Sequence, residues 1–316
     1  MNILVTAIGS FSAYCVIDTL KKGGHYVVGC DIYPAEWHYV SRICDQTYKV
    51  PLATDRSYID FIIDICLREK VTHVIPLTDL EIDVLNIHRP RFEANNIRLC
   101  MPSSKTLEVA RDKYRLFKQF EKDETIPSIP TYRIGVDLYP GEIVPCVVKP
   151  AAGRSSEGLM RIYDSRLLHT VPTGENFILQ PMVEGAVYTV DYVRSSSSGN
   201  DFSIPREELL RTKNGAGTTV RISPDLKLSQ MASHIGKVLD INGCVNMEFI
   251  LNDDLFYLID INPRFSAGVA FSVKAGYDMV TSHINAHTSK DICPPVNIRP
   301  GLMCKHYVED FIQQPD

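Results

Sequence analysis

Two apolar runs, CVNMEFIL (244–251) and LFYLIDIN (255–262), stand either side of Asn252-Asp253-Asp254. Runs of this length, rich in β-branched and aromatic residues and joined by a short Asn/Asp turn, read as a β-hairpin. Successive side chains of a strand point to opposite faces. Asn246 and Glu248 therefore share one face of the first strand. Asp260 and Asn262 share one face of the second, with Ile259 and Ile261 opposite. With Asp253-Asp254-Leu255 as the loop, Glu248 lies opposite Asp260 and Asn246 opposite Asn262. Two carboxylates that close repel each other unless a cation sits between them. Acids plus an amide are hard oxygen ligands, suited to Mg²⁺ better than to zinc. A buried hydrogen-bonded network and a solvent-facing sheet are the bland alternatives.

The rest of the chain places this hairpin late in a larger assembly. At 316 residues a single core rarely keeps growing, so two or three lobes are expected. ILVTAI (3–8), a helical stretch Phe11–Lys22, YVVGCDI (26–32), a helix over 57–69 and THVIPL (72–77) alternate strand and helix. That alternation predicts a parallel sheet covered on both faces. Beyond residue 102, Ser103 or Ser104 can cap a helix running into ARDKYRLFKQFEK (110–122), and IPSIP (126–130) reads as a stiff linker. Strands follow at 143–149, 159–163, 176–183, 187–194 and 202–207, then a helix at 226–240.

Composition excludes several classes of function. Apolar residues make up 45% of the chain, charged residues 22%, and the net charge is −5. There is no basic footprint for nucleic acid or an anionic membrane. The run MNILVTAIGS lacks a preceding basic region and reads as a strand, not a signal peptide, so a cytoplasmic location is expected. The nine cysteines are scattered without a C-x-x-C pair, which argues against a disulfide framework or a zinc site.

Other charged groups carry weaker signals. Lys149 ends a strand and precedes a Gly/Ser loop, AAGRSSEG (151–158); backbone N–H groups and an ammonium in that arrangement handle phosphates, or they form a plain surface hairpin. Arg111-Asp112-Lys113 reads by itself as a solvated helix face. Arg206, Arg211 and Lys213 flank a Gly-Ala-Gly loop and either bind an anion or are solvated. Asp79 and Glu81 follow the third strand, where open α/β sheets bind ligands, or they form a helix N-terminal acid pair. Gly9 and Asp31 are spaced like a dinucleotide fingerprint, but GSFSAY is not G-x-G-x-x-G. His283 and His287 are four apart without the Glu of a zincin motif.

Taken in order, the motifs are Asp112-Lys113 on a helix, VVKP with the Gly/Ser loop, QPMVEG, NMEF and DINPR. This series resembles the ATP-grasp superfamily. It is most similar to the synthetase domains of the carbamoyl phosphate synthetase large chain and the related carboxylate–amine ligases. The resemblance implies an α/β chain with a Rossmann-like N-terminal (pre-ATP-grasp) domain over 1–102. A two-lobed α+β ATP-grasp module follows, its first lobe at 103–178 and its second at 179–316. It implies ATP and Mg²⁺, as two ions that Mn²⁺ can replace. Lys113, Lys149 and the loop with Gly153, Ser155, Ser156 and Gly158 correspond to phosphate-binding groups; Gln180, Met182 and Val183 to the adenine hinge; Glu184 to a ribose ligand. Glu248, Asp260 and Asn262 correspond to metal ligands, and Arg264 to the arginine that steadies the transferred phosphoryl group or the acyl phosphate. Arg264 and Lys149 thus stand as catalytic candidates, with Arg206 and Arg211 as candidate cofactor-binding cations. The implied partners are a small carboxylate and an amine, with a homodimer as the candidate assembly. Two departures stand out. Val187 occupies the place of a ribose-binding Glu, and RTKNGAGTTV (211–220) lacks the His of carbamoyl phosphate synthetases. A stand-alone ligase is the reading that results. Its rivals are an ATP-binding sensor of the same fold without turnover and an oxidoreductase using the first lobe.

Overall fold

The computed structural model describes residues 1–153, 158–174 and 176–311. The first region alternates as its sequence pattern predicts: β1 (Asn2–Val5), α1 (Ala13–Lys22), β2 (Tyr26–Asp31), β3 (Gln46–Lys49), α2 (Tyr58–Arg68), β4 (His73–Ile75), α3 (Asp79–Ile87), α4 (Arg89–Ala94) and β5 (Arg98–Leu99). The strands pair in parallel in the order β3-β2-β1-β4-β5. Near-continuous apolar runs such as ILV suit such a sheet, because both of its faces are covered.

The expected single helix through 110–122 is instead two: α5 (Ser104–Ala110), capped by Ser103, and α6 (Lys113–Phe120). Asp112 breaks the run. Its carboxylate accepts from the N–H groups of Tyr114 and Arg115, satisfying the orphan donors of a new helix start. The IPSIP segment is more than a linker, because Ser128 bridges Leu258 and the Leu258 N–H donates to Pro127 O.

Two antiparallel sheets follow. β6 (Tyr132–Arg133), β7 (Cys146–Pro150), β8 (Met160–Ile162) and β9 (Phe177–Pro181) form a small sheet in the order β6-β9-β7-β8. β10 (Ala186–Arg194), β11 (Asp201–Arg211) and β12 (Gly217–Ile222) precede α7 (Leu226–Val238). β13 (Gly243–Asn252), β14 (Leu255–Asn262), α8 (Val269–Ala275), α9 (Met279–His287) and β15 (Gly301–Cys304) complete the chain. The larger sheet runs β14-β13-β10-β11-β12-β15.

One apolar cluster joins the first region to the last: Ile3, Val16 and Leu20 pack with Val193, Phe265 and Met279. Burial of such side chains contributes roughly 1.5–3 kcal/mol each. The small sheet has a separate core of Cys146, Val148, Ile162 and Leu179. His283 and His287 are both buried on α9. His283 Nδ1 accepts from the Cys244 N–H at 2.8 Å, and Nε2 donates to Cys100 O at 3.1 Å. Burial pushes His283 down to about 4, so it stays neutral.

Candidate active site

The hairpin places its acids by an unexpected route. Its loop is two residues, not three: Asn252 pairs with Leu255 across Asp253-Asp254, both in the left-handed conformation. That turn alone would set Glu248 opposite Ile259. A bulge between the Phe249–Leu258 and Glu248–Asp260 pairs inserts Ile259 as an extra residue, so Glu248 faces Asp260 and Asn246 faces Asn262. The bulge also corrects the expected facing of Ile259. Leu258 and Ile261 join the core, while Ile259 lines the cleft with Asp260.

The cleft has a volume of about 930 Å³ and lies between the small sheet, the large sheet and the C-terminal ends of β1 and β4. Cations converge on its acids. Lys113, the first residue of α6, has its N–H bonded to Ala151 O, and its Nζ lies 3.2 Å from Asp260 and 3.4 Å from Gly153 O. The helix break at Asp112 thus turns an apparently solvated lysine inward. Arg211 donates to Glu248 at 3.0 Å. Arg264 donates to Asp79 at 2.7 Å and to Asn262 Oδ1 at 3.4 Å. Lys149 projects from β7 into the same cleft. Burial, and then the neighbouring Lys113, push its ammonium down to about 8, against the opposing pull of Asp260 and Glu248.

Asp79 enters from the first region and is only 2% exposed. Burial raises its carboxyl, but Arg264, then Arg111 and Lys113, outweigh burial and hold it below the usual range. Its neighbour Glu81 closes the capping box of α3 with Thr78 and accepts from Tyr58, which is the bland alternative foreseen for that acid. Asp31 is likewise engaged in its own loop, accepting from the N–H groups of Gly9 and Tyr33 beside His38.

Arg206 is not a loop charge. It lies in β11, 1% exposed, with its guanidinium bonded to Asp191 (2.7 Å), Glu208 (3.1 Å) and Ser266 (3.1 Å). Ser272 and Asn246 also donate to Asp191, and Thr189 donates to Glu208. These partners fix Arg206 as the floor of the cleft. Asp191 and Glu208 were missed in the sequence, although the i,i+2 pairs Thr189/Asp191 and Arg206/Glu208 repeat the polar alternation of the hairpin.

At the end of β9, where the adenine hinge is expected, Gln180 is buried and donates to Thr131 Oγ1, while Met182 N–H donates to Pro145 O. Met182, Val183 and Glu184 line the cleft, as does Val187. Gly153, which lines the cleft, and Gly158 lie within the connection between β7 and β8; Ser155 and Ser156 lie outside the described residues.

The donor set fits a divalent ion that prefers oxygen. Among the described residues no group of three His, Cys, Asp or Glu side chains forms a metal cluster. Glu248, Asp260 and the oxygen of Asn262 are two carboxylates and an amide. Such a set leaves coordination positions for water and phosphate oxygens, as Mg²⁺ usually requires.

The family model for the ATP-grasp domain matches residues 110–268, and that for the PylC-like N-terminal domain matches residues 3–100. The chain belongs to the ATP-grasp family. A carbamoyl phosphate synthase large chain of Clostridium acetobutylicum is 22% identical to this ATP-grasp chain over 258 residues, covering 74% of it. The chain spans only 24% of that relative. Solved structures share the fold, among them these two. One is the biotin carboxylase domain dimer of Hydrogenobacter thermophilus 2-oxoglutarate carboxylase, in complex with MgADP, ADP and bicarbonate (TM-score 0.77, 17% identity, 96% of this chain and 74% of that one). The other is an L-amino acid ligase of Bacillus licheniformis (TM-score 0.68, 16% identity, 90% and 73%). No described helix of the ATP-grasp chain is long and apolar enough to cross a membrane.

Proposed function

We propose that this protein is an ATP- and Mg²⁺-dependent carboxylate–amine ligase, forming an amide through an acyl phosphate and releasing ADP and phosphate. One observation carries the reading. Lys113, Lys149, Arg211 and Arg264 converge in one cleft on Glu248, Asp260 and Asn262. Cations beside hard oxygen donors suit transfer of a phosphoryl group, whose charge spreads over several oxygens.

Glu248, Asp260 and Asn262 would hold Mg²⁺, which when bound offsets phosphate charge and aligns the reacting oxygens. A carboxylate oxygen of the substrate attacks the γ-phosphorus of ATP as the bond to the ADP oxygen breaks. Lys149 and Lys113 neutralise the phosphate oxygens during transfer. The amine nitrogen then attacks the acyl carbon, the bond to phosphate breaks, and the amine gives up one proton. Arg264, held by Asp79, offers its cation to the negative charge that develops in either step. The reading includes an amino acid or other small carboxylate as one substrate. It favours a homodimer, the form of the carboxylase domain above.

ADP release measured over paired carboxylates and amines tests the proposal. Release that needs both substrates and Mg²⁺ is expected, and Asp260→Ala should abolish it without unfolding the protein. Tight ATP binding with no ADP from any pair would favour a sensor, and release of AMP would replace the acyl phosphate with an adenylate.

A further inference from the structure

Each proposed metal ligand is in contact with a cation of the protein. Asp260 has Lys113 at 3.2 Å, Glu248 has Arg211 at 3.0 Å, and Asn262 Oδ1 has Arg264 at 3.4 Å. The Arg211 contact is built rather than incidental. Its Nε donates to Gly215 O at 2.8 Å within a turn closed by Thr212 N–H to Ala216 O and Ala216 N–H to Thr212 Oγ1. Gly215 adopts φ +84°, and a Cβ there would lie 3.2 Å from Arg211 NH2. The turn is shaped around the guanidinium and holds it against Glu248.

We propose that Arg211 and Lys113 form a nucleotide-released gate on the divalent-metal site. They hold Glu248 and Asp260 until ATP arrives, so that the ion enters with the nucleotide and not before it. This inference rests on the metal reading given above. A divalent ion arriving alone must displace two cations from the oxygens it needs, and it is repelled by them as it approaches. Mg²⁺ also sheds water reluctantly, so the loss is not recovered by a tight all-protein shell. The triphosphate changes both conditions. Its oxygens compete for Arg211 and Lys113, freeing the carboxylates, and they supply further ligands to the ion. The two cations would thus serve the metal site when the nucleotide is absent and the phosphates when it is present.

Mn²⁺ binding followed by EPR, with and without a non-hydrolysable ATP analogue, tests the gate in the wild type, Arg211→Gln and Glu248→Gln. The wild type should bind Mn²⁺ alone at least tenfold more weakly than Arg211→Gln does, a difference of about 1.4 kcal/mol. With the analogue present, the wild type should bind Mn²⁺ tightly, and Glu248→Gln should lose binding in both conditions. Lys113→Met tests the same gate from the other ligand should Arg211→Gln fold poorly. Equal Mn²⁺ affinity of the wild type and both charge-removed variants in the absence of nucleotide would overturn the gate while leaving the metal site standing. Absence of Mn²⁺ binding in the wild type even with the analogue would overturn the metal site and the gate together.

Discussion

Asp79→Asn probes how the first region holds Arg264, the arginine proposed to act in catalysis. The Asp79 carboxylate is 2% exposed, with one oxygen 2.7 Å from Arg264 and the other 3.6 Å from Arg111. The amide removes the negative charge and leaves two guanidiniums facing each other. Breaking a fully buried ion pair costs about 3–5 kcal/mol. Arg264 and Arg111 are 18% and 16% exposed, and Arg111 keeps Asp83, so water and that second acid offset part of the loss. A cost of about 2–3 kcal/mol is expected, or roughly 4–10 °C in melting temperature for a chain of this size. The pH dependence follows from the sign of the shift. The folded carboxyl titrates below its ordinary 3.8, so its contribution is fully present above that value and is lost as pH falls further below it. Asp79→Asn should therefore be less stable than the wild type at pH 7, and the gap should close in acid. A double-mutant cycle with Arg264→Gln isolates the pair, with a coupling energy above about 1 kcal/mol expected. ATP affinity should change little, because Asp79 acts through Arg264, while the turnover rate falls at least tenfold. An unchanged melting temperature, or additivity of the two substitutions, would refute the argument that Asp79 positions Arg264.

Other outcomes follow from the same cleft. Lys149→Ala should weaken ATP binding at least tenfold by isothermal titration. Because the Lys149 ammonium is pushed down to about 8, wild-type affinity should decline as pH rises through that value, while Lys149→Arg should not show the decline. Deleting Ile259 removes the bulge but leaves Glu248 opposite Asp260 and Asn246 opposite Asn262 across the same two-residue turn; Mg²⁺-dependent nucleotide binding should survive while circular dichroism still reports the large sheet. Loss of metal dependence in a folded deletion variant would show that the pairing of Glu248 with Asp260 is not what assembles the site.

The local chemistry of this chain was legible without coordinates. Strand alternation put Asn246 with Glu248 and Asp260 with Asn262 on shared faces, because a period of two is a property of the backbone. Apolar strands alternating with helical segments likewise indicated a covered parallel sheet. The ordered series of Lys113, Lys149 and the DINPR run pointed to one family. Tertiary structure decided the rest. The bulge at Ile259 reconciles a two-residue turn with the observed pairing, a register that packing of Leu258 and Ile261 against the core selects and turn preference alone does not. Asp112 ends one helix and caps the next, which turns Lys113 into the cleft. Arg206 is held by Asp191, Glu208 and Ser266, and Arg264 by Asp79, from segments up to 185 residues apart. A charge in the sequence does not reveal its partner. Burial and register arise from contacts between distant segments, and those contacts decide whether a cation is solvated, holds up a cleft floor or faces a phosphate.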